Sequence, residues 1–247
     1  MAGWITHCMI VDRLYSKGLE LDERGFTVGS IAPDCNVENE DWTSFTPSRE
    51  VTHWMDGKSK LTADFEGFYR EFIEGGVFIS REHEAFLWGY YAHLVVDVEF
   101  TRFVRDEKRV RDCFDRIRRD EGLYAAVRGM PEDWDTVKRA FGKRRLFGGG
   151  VLSGDLAVQE IECLRENPAS RWFSVLKEVR EFPDYLAYLP QGAVVRKIGI
   201  MAVENMSLRT DGEMVFFSRE EFEGFVCRTC GMIYDIICER TNKEIAP

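Results

Sequence analysis

The chain has 247 residues, 45% hydrophobic and 31% charged, and its 33 lysines and arginines against 43 aspartates and glutamates leave a net charge of −10. That length suffices for one large domain with a sizeable core, and the balance excludes a disordered or collagen-like chain. The acidic excess disfavours non-specific binding to nucleic acid or anionic membrane, and no apolar run nears the roughly 20 residues that span a bilayer.

In chain order the pattern is mostly helical. Ile5 to Leu14 reads as a short amphipathic helix; no basic region leading into an apolar stretch precedes it, so no signal peptide is expected. Gly25 to Pro47 reads as loop, punctuated by Pro33, Asn36, Asn39 and Pro47. Leu61 to Gly75, apolar at 65, 68, 69, 72 and 73, has helical spacing, and Arg81 to Phe103 is a long apolar helix that Ser80 can open. Lys108 to Arg128 alternates charges around Val110, Phe114, Ile117 and Leu123, the mark of a solvent-facing helix, and this reading extends to the arginine-rich run 102–119.

A further helix fits Glu132 to Phe141, and Gly142 to Gly154 is a glycine-rich connection; its Gly148, Gly149, Gly150 and Ser153 lack the lysine of a phosphate-binding loop. Helical periodicity returns at Leu156 to Leu164 and at Trp172 to Phe182. Residues 193–217 fit strand or buried helix. Ser218 and Glu221 form a capping box that opens a last helix to about Glu239. The expectation is a single all-α domain over 1–247. Seven scattered cysteines point to reduced thiols and a cytoplasmic location, with Cys227 and Cys230 as buried thiols rather than a metal or redox pair.

All four histidines fall in the first hundred residues. His93 and Asp97, four apart in an apolar helix, share one face, and burying both requires either a mutual hydrogen bond or a cation. Asp34 follows Pro33, which pre-sets the backbone that aims it; His53 follows Thr52, and His7 stands at the start of the first helix. Imidazole and carboxylate are the usual zinc donors outside thiolate sites. His83, between Glu82 and Glu84, reads as an exposed helix position.

Thr6-His7, then Ile31-Ala32-Pro33-Asp34, then Thr52-His53, then Gly89-Tyr90-x-x-His93-Leu94-x-x-Asp97 resembles, in order and rough spacing over about residues 4–100, the zinc-dependent phospholipase C family. The resemblance implies an all-α fold and a cluster of up to three zinc ions that hydrolyses phosphate esters. It implies Asp34, His53, His93 and Asp97 around one zinc and His7 with Asp97 at a second. The family's third site needs two more histidines and a glutamate beyond Asp97. No histidine follows His93, and carboxylates such as Glu99 or Glu204 would have to serve. The expected activity is that of a metal-dependent phosphoesterase acting on a small phosphate ester or phospholipid. Asp34 would orient or deprotonate the attacking water, with Arg49 or Lys58 as candidate cations nearby. The competing expectation is a non-catalytic helical protein whose metal or buried polar cluster only holds helices together.

Overall fold

The computed structural model describes residues 2–40, 43–146, 154–202 and 214–242. Its centre is α5 (Arg81–Val104), and 17 of that helix's 24 residues are buried, so other elements cover it on all sides. Ser80 opens it as expected, its hydroxyl accepting from His83 N at 3.0 Å. The described residues are 65% helix and 3% strand, so the all-α expectation holds. Besides α5 come α1 (Trp4–Ser16), α2 (Glu23–Gly29), α3 (Arg49–Thr52), α4 (Phe65–Phe72), α6 (Glu107–Ile117), α7 (Glu121–Val127) and α8 (Trp134–Leu146). There follow α9 (Asp155–Glu166), α10 (Arg171–Ser174), α11 (Ala193–Met201) and α12 (Arg219–Asn242). A two-residue hairpin, β1 (Val37–Glu38) with β2 (Phe45–Thr46), is the sheet among the described residues.

Several elements depart from the sequence reading. The stretch expected as loop from Gly25 begins inside α2, whose Asp22 accepts from Gly25 N at 2.8 Å. Two glycines in seven residues suppress helix propensity, but they let α2 lie directly on α5. A Cβ on Gly25 would fall 2.2 Å from Glu82 O, on Gly29 2.1 Å from Phe86 O, and on Gly89 2.2 Å from Phe26 O, so backbone meets backbone along this seam. Leu61 precedes its helix, which starts at Phe65 behind Asp64, whose side chain caps Gly67 N at 2.7 Å. The charged segment 108–128 is two helices, because Asp120 caps a fresh start at Leu123 N, 3.0 Å away. Trp172 to Phe182 holds only α10 and a 3-10 turn, Leu176–Glu178. Pro183 bars helix from the residue before it. The ambiguous 193–217 begins as helix α11; the glycine-rich 148–150 and Glu204 lie outside the described residues.

The arginine-rich run is not all solvent-facing. Arg109 is buried, with its guanidinium over Phe103, Trp134 and Phe217 at 5.3, 4.7 and 4.9 Å and its nitrogens donating to Phe216 O and Val104 O. It ties α5, α6 and α8 to the segment before α12. Helix α1 packs chiefly on α9, α10 and α12. Asp12 accepts from Arg171 N at 3.0 Å, and Glu160 of α9 accepts from Thr6 N at 3.1 Å and from the Thr6 hydroxyl.

Burial raises the Glu160 carboxyl to about 7, although the Thr6 hydrogen bonds pull it down. A carboxyl raised in the folded state adds stability below its unfolded pKa and loses it as pH climbs through 7. Between pH 4 and pH 8 this group should remove about 3 kcal/mol. Glu160→Gln, which keeps the acceptor without the charge, should gain that amount on wild type over the same range in urea unfolding. A constant difference between the two proteins would show that Glu160 titrates normally.

Candidate metal centre

The five residues singled out in sequence meet at one place. Asp34 ends the 3-10 turn Ala32–Asp34, in which Pro33 is the middle residue, and His53 closes α3. His93 and Asp97 lie one turn apart on α5, and His7 reaches in from α1. Asp34 Oδ1 lies 3.3 Å from His53 Nε2, and His53 Nε2 lies 3.3 Å from His93 Nε2. Asp97 Oδ2 is 3.6 Å from His53 Nε2 and 3.5 Å from His93 Nε2, and Asp97 Oδ1 is 3.9 Å from His7 Nε2. Two donor groups can hold a metal ion: His7, His93 and Asp97, and Asp34, His53 and His93, with ligand atoms within 4.8 Å of one another in each.

The second contacts of the rings hold them in place. His93 Nδ1 lies 2.8 Å from Ser30 O, and His53 Nδ1 lies 3.1 Å from Arg49 O. A carbonyl only accepts, so His93 Nδ1 carries hydrogen and its Nε2 lone pair points inward; His53 Nδ1 also lies 2.9 Å from the Thr52 hydroxyl, which can donate or accept. Ser30 stands directly after α2, so the glycine seam sets the height of the His93 ring. Burial lowers the pKa of His7 well below the ordinary imidazole value and lowers that of His53, which keeps both rings neutral. For Asp34 and Asp97 burial favours the neutral acid but is outweighed. Contacts with His53, His93 and Lys60 hold Asp34 low, and Lys60, then His93, hold Asp97 well below the usual carboxylate range. Inward-facing lone pairs and two carboxylates thus crowd a buried point. His7 Nδ1, His7 Nε2 and Asp97 Oδ1 have no hydrogen-bond partner, and a cation would satisfy Asp97 Oδ1 and the one His7 nitrogen that carries a lone pair.

Sequence reasoning missed Lys60. Its Nζ donates to Asp97 Oδ2 at 2.5 Å from the 3-10 turn Lys60–Thr62. Neither expected cation takes that position: the Arg49 guanidinium lies over the Phe45 ring at 4.5 Å, and Lys58 is exposed. Trp54, at φ 54, turns the chain sharply after His53, and its ring on Phe68 and Phe72 holds that left-handed conformation in place. The loop that follows returns Lys60 to α5.

Asp34 and Lys60, at 13% and 12% side-chain exposure, touch solvent, whereas the three histidines and Asp97 are at most 2% exposed. The mouth of the centre is therefore an acid and a lysine. His83 lies elsewhere and is half-buried rather than exposed, stacked on Tyr185 at 4.6 Å. Glu99 pairs with Arg102. Cys227 is exposed, accepting from Arg13 at 2.8 Å, while Cys230 is buried as expected. Comparison of the chain with protein-family models, with curated proteins and with solved structures finds no match.

Proposed function

We propose that this chain is a zinc-dependent phosphoric ester hydrolase of the phospholipase C type, cleaving a small phosphate ester or phospholipid with water. The observation that carries the reading is the spacing of the donors. Ligands about 2.05 Å from a zinc ion form a tetrahedron with edges of about 3.3 Å. Four of the six edges that Asp34, His53, His93 and Asp97 would form measure 3.3–3.6 Å, with Asp34 and Asp97 in separate donor groups that share His93. The Ser30 carbonyl at His93 Nδ1, and the Thr52 hydroxyl and Arg49 carbonyl at His53 Nδ1, supply the outer-sphere orientation that such sites use.

Zinc, when bound, supplies a water of pKa about 7 and offsets phosphate charge. The rest falls to the chain. Asp34, at the mouth, accepts the proton as water oxygen bonds to phosphorus and returns it to the leaving oxygen as the P–O bond breaks, so that the alcohol departs. Lys60, beside it, offers an ammonium to the phosphate oxygens. His53, His93 and Asp97, locked by burial, supply fixed geometry rather than proton transfer.

The near-complete burial of four of the five residues also favours a second reading, a structural site that only holds α1, α3 and α5 together. Asp34→Asn separates the two. With zinc occupancy matched by added metal, it should cut chelator-sensitive turnover of phosphate esters at least about 100-fold. A panel of lipid, nucleotide and chromogenic esters that wild type leaves intact, with or without zinc, favours the structural reading.

A further inference from the structure

The two oxygens of Asp97 keep different company. Oδ1 has no hydrogen-bond partner and faces His7 Nε2 at 3.9 Å. Oδ2 faces the Nε2 atoms of His53 and His93 at 3.6 and 3.5 Å, and it also accepts from Lys60 Nζ at 2.5 Å. An ion that His53 and His93 share with Asp97 would therefore bind the oxygen that the ammonium already takes. A zinc–oxygen bond of about 2.05 Å, added to that 2.5 Å contact, puts the two cations no more than about 4.6 Å apart. Asp97 is 2% exposed, so little water screens their repulsion.

Charge points the same way. Asp34 and Asp97 bring two negative charges, which one divalent ion balances in full and Lys60 balances by half. Ion and ammonium together would leave a positive excess in a site that is nearly closed.

The turn that carries Lys60 does not depend on the ion pair. Ser59, Leu61 and Thr62 beside it are exposed. Ser59 Oγ accepts from Leu61 N at 3.3 Å, and the Thr62 hydroxyl donates to Ser59 O at 2.7 Å, so the turn closes on its own hydrogen bonds. The Lys60 side chain already touches solvent, and its flexible four-carbon stem lets the ammonium swing outward without moving the backbone.

We infer that Lys60 is a counter-ion that the metal displaces: an ion held by His53 and His93 takes Asp97 Oδ2, and the ammonium leaves that oxygen for the mouth beside Asp34, where it meets an anionic substrate. Filling the centre then readies the mouth for a phosphate. This rests on the metal reading of the cluster, and its test follows Lys60 itself and needs no turnover.

The full chain, stripped with chelator or reloaded with zinc, is treated briefly with an acetylating N-hydroxysuccinimide ester. Peptide mass spectrometry follows Lys60 against the exposed Lys58 as internal reference. Zinc should speed acetylation of Lys60 at least about tenfold relative to Lys58. Lys60→Met, which removes the competing charge, should bind zinc at least about tenfold tighter than wild type in competition with a chelator. The labelling arm uses wild type and stands even if Lys60→Met fails to fold. Bound zinc with no rise in Lys60 labelling, or a folded Lys60→Met that binds no tighter, would overturn the displacement and leave the metal reading intact. No bound zinc in either protein would overturn the metal reading, and this inference with it.

Discussion

His93→Ala should weaken zinc binding more than about 100-fold, beyond the cost of losing an outer-shell partner. Both donor groups contain His93, so alanine leaves each with two ligands. Its ring is also the one to which the others are referred, at 3.3 Å from His53 Nε2 and 3.5 Å from Asp97 Oδ2, and stacked on His7. The readout is thermal. Zinc at about 1,000 times its dissociation constant should stabilise wild type by about 4 kcal/mol. For a chain of this length that is a rise in Tm of roughly 10 °C. The variant should shift by less than about 4 °C under the same zinc. A full shift in His93→Ala would mean that zinc stabilises the protein from elsewhere.

Gly29→Ala should cost about 3 kcal/mol and weaken the metal site as well. The added carbon would lie 2.1 Å from Phe86 O, a backbone atom with no rotamer to yield, so α2 must lift from α5. Ser30 follows Gly29, and its carbonyl holds His93 Nδ1 at 2.8 Å. Lifting it frees the ring, and loss of such a support costs 10- to 100-fold in metal affinity. Gly199→Ala is the control, since nothing lies within 4 Å of that position and alanine favours helix α11 by about 0.5–1 kcal/mol. Chemical unfolding checks the first claim and zinc titration the second; equal stability of Gly29→Ala and wild type would show that the seam can relax.

What was legible in the sequence was local and periodic. The Ser218–Glu221 box closes in both directions, with Ser218 N to Glu221 Oε2 at 2.8 Å and Glu221 N to Ser218 Oγ at 3.1 Å. The four-residue spacing of His93 and Asp97 puts their side chains in contact, since one helical turn does so wherever the helix lies. Order along the chain was enough to group Asp34, His53 and His7 with them. Helix α2 was hidden because its glycines serve tertiary packing and oppose local propensity. The break at Asp120 was hidden by apolar spacing that continued across it. Lys60 carried no signal at all: a lysine in an aperiodic stretch is ordinarily solvated, and only the turn at Trp54 brings this one back to Asp97.

The way α1 is held separates the walls of the cluster from its cover. Asp34, His53, Lys60, His93 and Asp97 come from elements that α2 and α5 align, whereas the His7 helix is fastened mainly by α9, α10 and α12. A change that loosens α12 from α1 should therefore release His7 and leave the other donors in register, so His7 behaves as a stopper that can be drawn without disturbing the vessel.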